Sequence, residues 1–121
     1  MVWTHWVSVG GIFGALAVAC GAFGAHALKE QLLPEALAIF DTGARYHLIH
    51  ALAILAVAMI ASRIETRAVT IAGWAFSLGI VFFSGSLYAL ALTGIRWLGA
   101  ITPIGGILLI LGWLSLAWST F

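Results

Sequence analysis

Apolar residues fill this 121-residue chain in four long runs, and polar positions are confined to the connections and to one end of the runs. The runs cover residues 3–28, 42–62, 68–92 and 100–121. Each is continuous and roughly as long as the ~20 residues an α-helix needs to cross the hydrocarbon of a bilayer. A transmembrane barrel would instead need alternating segments of about ten residues. The pattern therefore predicts an all-α membrane protein, a four-transmembrane-helix up-and-down bundle forming one domain over residues 1–121.

The connections read KEQLLPEALAIFD, RIETR and TGIRWLG. The first is amphipathic. Leu33, Leu37 and Phe40 fall at i, i+4 and i+7, while Glu30, Glu35 and Asp41 lie elsewhere, and Pro34 suits a first helical turn. A short interfacial helix lying on the bilayer between the first two spans is the expected structure. The alternative is that the second span simply begins at Pro34.

Composition agrees with a membrane class. Hydrophobic residues make up 64% of the chain and charged residues 7%, with a mean hydropathy of +1.16. A soluble domain carries about a quarter charged residues and does not expose apolar surface on that scale. The net charge of +1 is scattered, so nucleic acid is not an expected partner. The single cysteine, Cys20, lies within an apolar run and cannot form an intrachain disulfide. No Lys or Arg precedes the first run, so it is expected to be a retained span rather than a signal peptide. Lys and Arg number two on the RIETR side against three on the other, which leaves orientation undecided.

Lipid gives no hydrophobic drive between helices, so close packing depends on small residues. Gly10, Gly14, Ala17, Gly21 and Gly24 recur on one face of the first run and predict a helix-packing stripe. Ser77, Ser84 and Tyr88 form a narrower polar stripe on the third. A short internal repeat pairs GAHAL at 24–28 with SLYAL at 86–90, so that Tyr88 would mirror His26.

In an up-and-down bundle the end of span one, the start of span two, the end of span three and the start of span four share one membrane level. His26, Arg45, Tyr46, His47, His50, Ser84, Tyr88 and Thr102 are all there, and they are the candidate ligand-binding residues. Ionisable groups at membrane depth are costly and default to a functional hypothesis. His47 and His50 share a helix face, and with His26 they form a weak possible metal set. No Cys, Met or carboxylate completes it, and no metal or other cofactor is expected. The competing structural reading is that these groups hydrogen-bond one another and the backbone, with Arg45 and Tyr46 anchoring the helix at the interface. His5, between Trp3 and Trp6 at the opposite end, reads as an interfacial belt residue. No nucleophile–base pair, phosphate-cradling loop or paired carboxylates can be assembled, so no catalytic residue is assigned.

The segments GAFGAHALKE, F-x-TGARYHLIHALAIL, FSGSLYALAL and ITPIGG together resemble the YgdD/YwdK-like family of small bacterial membrane proteins, over essentially the whole chain. The resemblance implies a four-span protein of the cell (inner) membrane with both termini cytoplasmic. It brings no established activity, cofactor or catalytic residue. The leading expectation is a non-enzymatic protein that binds a membrane lipid, a small apolar ligand or a membrane partner at the polar layer, self-associating or joining a larger complex. The alternative is a proton-coupled transporter or channel subunit using His26, His47 and His50.

Overall fold

The computed structural model describes residues 2–121. Four helices follow in order: α1 (Val2–His26), α2 (Pro34–Ala61), α3 (Arg67–Thr93) and α4 (Thr102–Trp118), with a 3₁₀ turn at Arg96–Ala100 leading into α4. All four are long and apolar enough to cross a membrane, counting the 3₁₀ turn with α4. Consecutive helices pack against each other along their lengths. The most apolar stretches of α2 and α3 are 50% buried, against 17% for α1 and α4. The bundle is thus a central α2–α3 pair with α1 and α4 laid on its flanks.

The ends of the helices follow from local chemistry. Thr66 caps α3, its hydroxyl accepting from the Val69 N–H at 3.4 Å. Gly94 ends α3 in the left-handed region at φ 71°, and its N–H closes onto the Leu90 carbonyl at 2.8 Å. A side chain at Gly94 would be strained at that φ.

The short interfacial helix expected between the first two spans is not a separate element. Pro34 starts α2, and the helix runs unbroken to Ala61. The apolar face of its first turns docks against the protein: Phe40 is 2% exposed and clusters with Leu28 and Ala91. That burial keeps the segment in line with the span instead of turning it onto the bilayer surface.

The principal core is built from Trp6 of α1, Ile54 and Val57 of α2, Val69, Phe76 and Ile80 of α3, and Leu109 of α4. Glycines receive the large side chains. Trp6 lies over Gly73, and a Cβ on Gly112 would meet the Phe76 ring at 2.5 Å. On α1 the predicted stripe faces α2: Cβ atoms would stand 2.8 Å from Leu55 at Gly10 and 2.9 Å from Phe40 at Gly24, and Ala17 is buried. Gly14 is looser, 4.0 Å from Ala51, and Gly21 has nothing within 4 Å. Gly21 is therefore not a packing glycine. A small residue is demanded only where a bulky partner such as Leu55 or Phe40 arrives.

The closest approach is between α4 and α3, where a Cβ on Gly105 would fall on the Phe82–Phe83 backbone. Main chain yields less readily than a side-chain tip. Gly105→Ala should lower stability by about 1–3 kcal/mol or more. Gly11→Ala, facing open space, should instead be neutral or stabilising by about 0.5–1 kcal/mol, because glycine weakens a helix interior. Denaturant unfolding of both variants in detergent checks the contrast; equal effects would contradict the packing.

Candidate functional site, an interhelical polar layer

The polar residues of the sequence separate into those the fold brings together and those it leaves out. His26 ends α1 as an exposed side chain, and Arg45 is exposed on α2. Asp41, which lies against α1 at Gly24, makes no ion pair with Arg45. Among the described residues no group of three His, Cys, Asp or Glu side chains could hold a metal ion. The weak metal set of His26, His47 and His50 is therefore not assembled. The environments of His26 and Tyr88 also differ, since Tyr88 is partly buried and hydrogen-bonded.

The remaining candidates form hydrogen bonds that tie α2 to α3, and α3 and α2 to α4. Ser84, 1% exposed, donates from its hydroxyl to the Gly43 carbonyl at 2.7 Å. A Cβ at Gly43 would stand 3.0 Å from the Tyr88 ring, so the position favours glycine. The Ser86 hydroxyl donates to the Phe83 carbonyl at 2.9 Å. Its only hydrogen being used, it accepts from Thr102 at 2.6 Å.

His50 is 4% exposed and fully committed. A carbonyl can only accept, so the 2.7 Å contact between Nδ1 and the Tyr46 carbonyl places the ring proton on Nδ1. Nε2 then accepts the Trp113 indole N–H at 3.0 Å. The geometry assigns a neutral imidazole in one tautomer. Its ring sits among aromatics, 5.7 Å from Phe76, 5.8 Å from Trp113 and stacked 6.0 Å from Tyr46.

His47, also 4% exposed, is half satisfied. Nδ1 meets the Tyr88 hydroxyl at 2.9 Å. Nε2 is buried with no hydrogen-bond partner. Phe13 of α1 packs edge-on against the ring at 5.8 Å. Whichever way the His47–Tyr88 proton points, one ring nitrogen is left unpaired, at a cost of about 1–3 kcal/mol.

The layer is not flat. Because α2 begins at Pro34, His50 lies roughly 24 Å along that helix at ~1.5 Å per residue. Ser86–Thr102 and His50–Trp113 therefore mark the two ends of a diagonal seam rather than one membrane level. Trp113 was not among the residues expected from sequence. Only the depth of His50, read with the true start of α2, would have pointed to it. Beside this seam a groove of about 340 Å³ opens to the outside of the bundle, lined by Tyr46, His50, Phe83, Gly106, Ile110 and Trp113.

Chemically, the layer is uncharged and mostly self-satisfied. Its hydroxyls and one imidazole are occupied with carbonyls or with each other. Fold and layer together define a small α-helical membrane protein with four candidate spans, its helices joined by hydrogen bonds within the spanning segments.

The chain belongs to the family described as protein of unknown function (DUF423), whose model matches residues 20–106. It is 46% identical to a UPF0382 membrane protein of Staphylococcus saprophyticus, over 95% of each chain. It is 45% identical to the UPF0382 membrane protein YwdK of Bacillus subtilis, over 91% of this chain and 90% of that one. With a UPF0382 membrane protein of Haemophilus influenzae it shares 44% identity over 89% and 86% of the two chains. No solved structure matches. The resemblance of the four sequence motifs is thereby confirmed.

Tyr88→Phe would leave both His47 nitrogens unpaired and should lower stability by about 1–3 kcal/mol. Trp113→Phe leaves Nε2 of the buried His50 unpaired and should likewise cost about 1–3 kcal/mol. The double variant His47→Leu/Tyr88→Phe should recover part of the Tyr88→Phe loss, because both polar partners are gone. Unfolding by sodium dodecyl sulfate in mixed micelles gives the ranking.

Proposed function

We propose that the protein is a non-enzymatic membrane protein that holds a membrane lipid, or a small apolar molecule of similar shape, in the groove lined by Tyr46, Phe83, Gly106, Ile110 and Trp113. The observation that carries this reading is the groove itself. It has apolar and aromatic walls, it opens outward from the bundle, and the one imidazole on its lining has both nitrogens already bonded. Such a site recognises shape and apolar surface rather than performing acid–base chemistry. The outer faces of α1 and α4 carry large exposed apolar side chains, including Ile12, Leu16, Ile107 and Leu114. They give room for self-association or a larger membrane assembly on the same reading.

A proton-coupled role finds less support. Between His50 and the 62–66 turn the interior is Ile54, Val57, Val69, Ala72 and Phe76. The hydroxyl of Ser77 is given back to the Gly73 carbonyl at 2.8 Å.

We further infer that the protein resides in the cell (inner) membrane with both termini cytoplasmic, a reading supported by the resemblance of its sequence motifs. Antiparallel spans put both termini and Arg63 and Arg67 on one side. An alkaline phosphatase fused to the C-terminus should be inactive in cells; an active fusion would reverse the orientation.

The groove is tested by photo-crosslinking with a phospholipid carrying a diazirine in its acyl chain, in native membranes. Adducts should concentrate on the peptide containing Gly106 and Trp113. A Cβ at Gly106 would find the Phe83 ring no closer than 3.7 Å, so Gly106→Leu should fold, fill the groove and remove most of those adducts. Adducts spread evenly over all four helices, unchanged by Gly106→Leu, would refute the reading.

A further inference from the structure

A second groove lies at the opposite membrane face, where α3 begins and α4 ends, and it is independent of the site just proposed. Its volume is about 320 Å³, and its lining includes Arg67, Ile71, Leu111, Leu114, Ser115 and Trp118. Ile71, Leu111 and Leu114 are among the exposed large apolar side chains. They sit on segments apolar enough to cross a membrane, so the walls of this groove contact hydrocarbon. A hollow facing acyl chains does not stay empty, since unfilled space forfeits dispersion contacts on every side.

The mouth of the groove is chemically one-sided. The Arg67 guanidinium, the Ser115 hydroxyl and the Trp118 indole N–H can all donate, and among the described residues none of these groups has a hydrogen-bond or ion-pair partner. No carboxylate lines it. Glu65, the nearest acid in sequence, borders a separate hollow of about 150 Å³ on the α1 side, which Arg67 also touches. Leu111 lies roughly 10 Å inward from Trp118 along α4, at about 1.5 Å per residue. Donors thus stand at the helix ends and apolar walls extend inward from them.

We infer that this groove binds an anionic phospholipid. Its phosphodiester is held by Arg67, with Ser115 and Trp118 as further donors, and one acyl chain lies along Ile71, Leu111 and Leu114. A zwitterionic lipid would bring an ammonium group for which the lining has no carboxylate. A second copy of this chain could cover the apolar walls, but the acid it carries at this face, Glu65, borders the hollow on the α1 side and not the α3–α4 groove.

The test uses the full chain in detergent, offered equal amounts of phosphatidylglycerol and phosphatidylcholine with the same acyl chains, and native mass spectrometry to read the lipid retained. Phosphatidylglycerol should be retained about fivefold more, the factor equivalent to the ~1 kcal/mol that one basic residue contributes near an anionic lipid surface. Arg67→Gln should bring it down to the phosphatidylcholine level. Arg63→Gln removes the same charge from the same turn but does not line the groove, so it should keep the preference. Trp118→Phe, which keeps the ring and deletes the N–H, should lower phosphatidylglycerol retention alone and serves as an independent variant if Arg67→Gln misfolds. Equal retention of the two lipids by the unaltered protein would overturn the inference. So would equal losses in Arg63→Gln and Arg67→Gln, which would signal diffuse charge, or loss of the preference when inorganic phosphate is added, which would signal an anion site without a lipid.

Discussion

Hydrocarbon offers no hydrogen bonds, so a polar group buried between the spans is costly unless its partner lies inside the protein. The rest of this structure depends on that constraint. Ser84 cannot sit at 1% exposure on α3 unless the Gly43 carbonyl of α2 is within its reach. His50, at 4% exposure, has both its nitrogens taken, by the Tyr46 carbonyl and the Trp113 indole. The Ser84–Gly43 and His50–Trp113 bonds each fix one helix against another in depth and rotation, while the His50–Tyr46 bond stays within α2 and sets the tautomer of the ring. Dispersion contacts, being non-directional, do not do this by themselves.

Shape supplies the remainder. The same helices that exchange hydrogen bonds also exchange large side chains for glycines: Tyr88 over Gly43, Leu109 over Gly79 and Phe76 over Gly112, while Trp6 of α1 lies over Gly73 of α3. Gly43 serves both purposes, giving its carbonyl to Ser84 and its missing side chain to Tyr88. The α2–α3 pair is therefore pinned twice, and its greater burial follows. The flanking helices each pack mainly on one neighbour, and both keep large apolar faces turned outward.

Much of this was legible in the sequence, and the failures have physical causes. Four spans, their antiparallel order, the inward position of Ser77, Ser84 and Tyr88, and most of the α1 glycine stripe follow from hydropathy and helical spacing. The continuity of α2 does not, because PEALAIFD looks interfacial until Phe40 is seen docked against Leu28 and Ala91. Trp113 stands eleven residues, roughly 16 Å at ~1.5 Å per residue, beyond Thr102 on α4, so a layer drawn through the start of that helix does not reach it. Gly21 matched the stripe in phase, but spacing along one helix cannot say whether the facing helix presents a bulky side chain. His26 and Arg45 shared a level with the layer without sharing its interior, since the sequence places a residue along a helix more readily than it says what stands opposite.

On this account the buried histidines join the helices and exchange no protons, and among the buried side-chain nitrogens and oxygens of the described residues only Nε2 of His47 lacks a partner. The most direct test of that claim is nitrogen-15 NMR of the protein labelled at histidine, in micelles near neutral pH. His50 should appear as a neutral ring with the proton on Nδ1 and a hydrogen-bonded, unprotonated Nε2. An imidazolium, or a ring protonated on Nε2, would mean that Trp113 is not its donor and would contradict the account.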